Sequence, residues 1–128
     1  MNFIYTVAAL LGVYICVHHF RWFNRQFLSL SEKSLFDDEA MVFLRGIVTS
    51  LGIFHVLSSL VLWACAFDLV PMVQSYWLVS FISLSYFLFA IWHLYHLSMM
   101  GVGNRAQARW QAIAFIGIAF FASLGLIR

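Results

Sequence analysis

The stretch Val73–Met100, VQSYWLVSFISLSYFLFAIWHLYHLSMM, contains no Asp, Glu, Lys or Arg. It is longer than the roughly 20 apolar residues needed to cross a hydrocarbon core about 30 Å thick. Pro71 precedes it and Gly101 and Gly103 follow it, so it is expected to be a transmembrane helix over about 73–100 with helix breakers at both ends. It also carries His93 and His96. Ionisable groups at membrane depth are uncommon and are functional suspects by default.

The composition extends this reading to the whole chain. At 128 residues the protein is 64% hydrophobic and only 9% charged, whereas a soluble domain carries about a quarter charged residues. A chain this poor in charge could not cover its apolar surface in water. Its 14 Phe, 5 Trp and 5 Tyr suit a lipid-facing surface with aromatic belts at its edges. The formal net charge of +2 comes without a basic cluster long enough to engage nucleic acid.

Three further apolar runs, about 3–20, 41–67 and 106–127, have the length of a span. In lipid the backbone must satisfy its own hydrogen bonds, so each run is expected to be a helix. The fold class is therefore all-α: a polytopic membrane protein forming a four-helix transmembrane bundle in a single domain, 1–128. The first run has no positive charge before its apolar core and no small-residue cleavage site after it, which argues against a cleaved signal peptide. With no transit peptide and a short chain, a bacterial inner membrane is the expected location.

Residues 21–40, RWFNRQFLSLSEKSLFDDEA, hold most of the charged side chains, interleaved with Trp22, Phe23, Phe27 and several leucines. This pattern predicts an interfacial segment with a helical turn or two. Asp37 and Asp38 are placed to cap and charge the N-terminus of the second span. Asp68 and Pro71 end that span, and the short connection makes the second and third spans an antiparallel hairpin. Asn104 is expected to cap the fourth span. Arg21, Arg25, Lys33, Arg45, Arg105 and Arg109 gather at one end of the bundle, against Arg128 alone at the other. The positive-inside rule then puts both termini outside the cytoplasm.

At about 100° per residue, the first span aligns Tyr5, Ala8, Gly12, Cys16 and His19, and the second aligns Gly52, His55, Ser59 and Ala66. The third aligns Ser75, Leu78, Ile82, Ser85, Phe89, His93, His96 and Met100, opposite Trp77, Phe81, Leu84, Leu88 and Trp92. In the fourth, Ala108 pairs with Ala112 and Ala119 with Ser123. Small residues four apart mark close helix approach. Cys16 and Cys65 fall near opposite faces, too far apart for a disulfide.

The histidines form the one constellation that carries chemistry. His18, His19, His93 and His96 share a level near the cytoplasmic end, and His55 lies about 15 Å deeper than Arg45, close to the bilayer centre. His19, His55, His93 and His96 are candidate ligands for haem b. A metal site from His18, His19, His93 and His96 with Asp37 and Asp38 is the second arrangement. The same rings also fit an interfacial belt, a description that suits His55 least. No nucleophile arrangement or phosphate-cradling glycine loop is present, and no acid lies in mid-span to carry protons.

The expected function is a small integral membrane subunit, non-enzymatic on its own. It would pack against itself or a larger membrane complex through its small-residue stripes. The alternatives are a redox anchor binding haem b, and with it quinone, a histidine–metal membrane enzyme, and a small transporter.

Overall fold

The computed structural model describes residues 2–32, 37–99 and 105–127, with backbone only at residues 27, 30–32 and 105–107. The expectations placed on Lys33, Met100, Gly101, Gly103, Asn104 and Arg128 lie outside the described residues. Four helices account for nearly all the rest: α1 (Phe3–Glu32), α2 (Asp38–Ala66), α3 (Met72–Met99) and α4 (Arg105–Leu126). Each is long and apolar enough to cross a membrane. The protein is an all-α, four-span integral membrane protein.

Helix α1 departs from the expected boundaries. It does not stop near Phe20 but continues through Glu32, a length of 30 residues, or about 45 Å. No Gly or Pro occurs between Gly12 and Gly46, so nothing in RWFNRQFLSLSE forces the helix to end when it leaves the hydrocarbon. The expected separate interfacial segment is thus, over 21–32, the projecting end of α1. Asp37 does cap α2: its carboxylate accepts the Ala40 N–H at 2.7 Å, and Asp38 and Glu39 add negative charge to the first turn.

At its other end α2 closes with Asp68 in the left-handed region, φ 57°. The Asp68 N–H bonds the Cys65 carbonyl at 3.2 Å and the Leu69 N–H bonds Ala64 at 2.9 Å. This is the Schellman pairing, which satisfies two carbonyls at the helix end. The Asn2 N–H caps another by reaching the Ala66 carbonyl at 2.8 Å, tying the N-terminus to the end of α2.

Side-chain size decides which helices approach. α1 packs against α2 and α4, and α3 against α4, while α2 and α3 touch least of the neighbouring pairs. On the α1–α2 seam a Cβ at Gly12 would lie 3.2 Å from Ser59 Cβ, and Ser59 Oγ donates to the Ala9 carbonyl at 3.3 Å. On the α1–α4 seam the ring of Tyr5 occupies the space a side chain at Gly125 would need. On the α3–α4 seam Ser83 Oγ donates to the Ala119 carbonyl at 2.9 Å. The Ser83 and Ser123 hydroxyls are 2.6 Å apart. Since Ser83 has a single proton, Ser123 is the donor to Ser83. Between α2 and α3, by contrast, Phe54 and His55 meet Phe81, Tyr86 and Phe89 ring to ring. These large rings bridge the two helices and hold their backbones apart.

The stripes expected on α1, α2 and α4 largely face inward: Tyr5, Ala8, Gly12 and His19, then Gly52, His55, Ser59 and Ala66, then Ala108, Ala112 and Ala119 are buried, while Cys16 is half-buried and Ser123 is exposed. They are filled by packing within the chain, so they are not free contact surfaces for a second protein. On α3 the expected inner face is rotated. Leu78 is 42% exposed, and the buried line runs through Val79, Ile82, Ser83, Tyr86 and Ala90. The lipid face of Trp77, Phe81, Leu84, Leu88 and Trp92 is as expected. The polar serines misled the α3 reading: Ser85 turns back onto its own Phe81 carbonyl at 2.9 Å, which a serine can do on any face of a helix.

A histidine-lined cavity between the four helices

Where the rings keep α2 away from α3, a cavity of about 240 Å³ opens in the arginine-bearing half of the bundle. α1 contributes His19 and Trp22, and α2 contributes Val48, Leu51 and His55. From α3 come Trp92, His93 and His96, and from α4 Ala108, Gln111 and Phe115. At 1.5 Å per residue, His55 and Phe115 stand about 16 Å from the Asp68 end of their helices, whereas His93 lies about 32 Å along α3. The cavity therefore runs from mid-membrane toward the arginine level. Four of the five histidines in the chain line it.

His19 is placed by a missing side chain. Gly52 gives the ring room against α2, since a Cβ there would sit 3.2 Å from His19 Cδ2 and 2.8 Å from Phe20 Cζ. Nε2–H of His19 donates to the Val48 carbonyl at 2.9 Å, which leaves Nδ1 with the lone pair in the neutral ring. His55 is 1% exposed. Its ring lies edge-on to His19, centroids 5.4 Å apart, and stacks near Tyr86 and Phe115. Nδ1 of His55 and the Tyr86 hydroxyl are 3.0 Å apart, a buried hydrogen bond between α2 and α3.

The two histidines of α3 are held by their own helix. Nδ1–H of His93 donates to the Phe89 carbonyl at 3.2 Å, and Nδ1–H of His96 donates to Trp92 at 3.1 Å. Each is thereby fixed in the tautomer whose Nε2 carries the lone pair. His93 also lies edge-on to Phe115 at 4.9 Å, and His96 packs on Trp92 at 4.4 Å. The cavity thus presents imidazole acceptors on an aromatic wall. None of the described side chains lining it is Asp, Glu, Lys or Arg.

The chain matches no family model, and no curated protein or solved structure is significantly similar to it.

The four residues expected as haem ligands, His19, His55, His93 and His96, are therefore brought to one place. The wider set with His18, Asp37 and Asp38 is not. His18 lies outside the cavity, accepting a hydrogen bond from the Gln111 amide at 3.3 Å. Asp37 and Asp38 are exposed at the start of α2, with Asp37 engaged as the cap. Among the described residues no group of three or more His, Cys, Asp or Glu has the geometry to hold a metal ion.

Two site residues escaped the sequence reading. His55 uses Tyr86, whose place on the inner face of α3 was hidden by the misassigned serine stripe. Gln111 joins His18 to the cavity wall. With Gln107 it is one of two Gln in the fourth span, a visible signal.

Proposed function

We propose that this protein is a membrane-embedded binding module, with no catalytic machinery of its own, whose ligand occupies the histidine-lined cavity. The supporting observation is that His19, His55, His93 and His96, from three different helices, line one cavity instead of being spread around a belt. Rings that served only as interfacial anchors would point outward, yet His19 and His55 are buried. The redox-anchor form of this reading, with haem b, draws on the same four residues. At about 240 Å³ the cavity is below the roughly 300–1,000 Å³ of sites that enclose drug-sized ligands, so a macrocycle would require α2 and α3 to part.

The distribution of arginines supports a cytoplasmic position for the cavity end, with both termini on the opposite side. A ligand-holding module of this kind would serve a larger membrane complex beside it.

The test is a preparation purified from its native membrane and examined by absorption, elemental analysis and mass spectrometry of released small molecules. The expected result is one stoichiometric non-lipid compound, lost when Ala108→Phe fills the cavity. A wild-type preparation carrying none, indistinguishable from the filled variant, would overturn the proposal.

A further inference from the structure

Resting on the binding role above, we infer that the cavity accepts the head of a lipid-soluble hydroxy-aromatic molecule of the hydroquinone class. Size is the first argument. An apolar cavity of about 150 Å³ in another protein is enough to take up benzene. A space of about 240 Å³ therefore suits one substituted ring better than a macrocycle.

The second argument is the sense of the hydrogen bonds. His19 uses Nε2–H on Val48, and His93 and His96 use Nδ1–H on Phe89 and Trp92. Their remaining nitrogens are acceptors in the neutral rings, so a ligand that engages these three must bring donors, while Trp22, Trp92 and Gln111 also place N–H groups on the lining residues. A quinol offers two hydroxyl protons. Its oxidised quinone, or its bis-methyl ether, would set lone pair against lone pair.

Third, no charged side chain is described on the cavity wall. A neutral diol brings no charge that such a wall would have to compensate. Trp92 and Phe115 on the wall supply aromatic contact for a planar ring. Access follows from the packing: of the neighbouring pairs, α2 and α3 touch least, and Trp92 lines the cavity while remaining 59% exposed on the lipid-facing surface. A ring carrying an alkyl tail can therefore enter sideways from the bilayer with its tail left in lipid.

The experiment uses the full chain in lipid nanodiscs. Saturable retention of a decyl-tailed dimethoxy-methyl-benzoquinol is measured against empty nanodiscs, with the matching quinone and the bis-methyl ether as comparators. The quinol is expected to be retained at one per protein and at least tenfold more tightly than either comparator. His93→Leu and His96→Leu should each weaken it severalfold. In nitrogen-15 spectra of labelled histidine, the lone-pair nitrogens should shift on quinol addition and not on addition of the ether. Equal retention of all three compounds, or unchanged histidine signals, overturns the inference. If the native preparation carries a different compound that Ala108→Phe expels, the binding role stands and the hydroquinone assignment falls. If no compound is found and no quinol is retained, both fall.

Discussion

The Tyr86 hydroxyl is a polar link between α2 and α3, the neighbouring helices that touch least, so Tyr86→Phe is the most informative single change. It keeps the ring that stacks on His55 and Phe115 and removes only the oxygen 3.0 Å from His55 Nδ1. Side-chain hydrogen bonds in membrane proteins average about 0.6 kcal/mol, with a maximum near 1.7. Here both partners are almost fully buried, Tyr86 at 0% and His55 at 1% exposed. No water can replace the hydroxyl without new space, and the cost should fall near the top of that range, about 1.5 kcal/mol. The assay is equilibrium unfolding in mixed detergent micelles, run as a double-mutant cycle with His55→Leu. The expected coupling between the two sites is about 1 kcal/mol. Independent sites add to within roughly 0.3–0.5 kcal/mol, so a coupling inside that margin would refute the claim that this bond joins α2 to α3.

Other expectations follow from the seams. Gly12→Ala should destabilise by about 1–3 kcal/mol in the same unfolding assay, because the new methyl lies 3.2 Å from Ser59 and forces α1 off α2. Gly46→Ala, with nothing within 4 Å, should be neutral or stabilising by up to about 1 kcal/mol through helix propensity. Ser83→Ala should cost more than Ser123→Ala, since Ser123→Ala leaves the Ser83 bond to Ala119 intact; equal losses would contradict the assigned donor order. Asp68→Val should be less stable than Asp68→Gly by about 1–2 kcal/mol, as φ 57° disfavours a β-branched residue. For orientation, cysteine labelling at Asn24 and at Leu69, both exposed, in a Cys16→Ser, Cys65→Ser background should react from opposite sides, Asn24 from the cytoplasm. Labelling of Asn24 from outside would reverse the assignment.

The four spans were legible because lipid leaves the backbone few choices and because charge is so scarce in this chain. The inner faces of α1, α2 and α4 were legible for a related reason: Gly12, Gly52 and Ala112 have no use on a lipid-facing surface but permit close approach. The inner face of α3 was not. With Ser75, Ser80, Ser83 and Ser85 distributed around it and large rings on every side, polarity gives no unique direction: Ser83 faces α4, while Ser75 lies beside Tyr5 of α1. The far end of α1 was misplaced because a polar, aromatic-rich segment reads equally well as an interfacial strip or as a projecting helix. Depth placed His19, His93 and His96 at one level, but it could not bring in His55. That residue joins them because the cavity extends down the bundle, a result of how rings pack between α2 and α3.

The five-residue link 67–71 joins the two neighbouring helices that share the least surface. In assembly terms the chain is two helical hairpins, α1 with α2 and α3 with α4, each closed by its own small-residue seam and married through α1 and α4. Each hairpin can enter the bilayer with its tightest contact already made, and the covalent link restrains the pair without dictating their docking. Two separately expressed halves, cut within the link, should therefore reassemble in the membrane, with the cavity forming only once both are present.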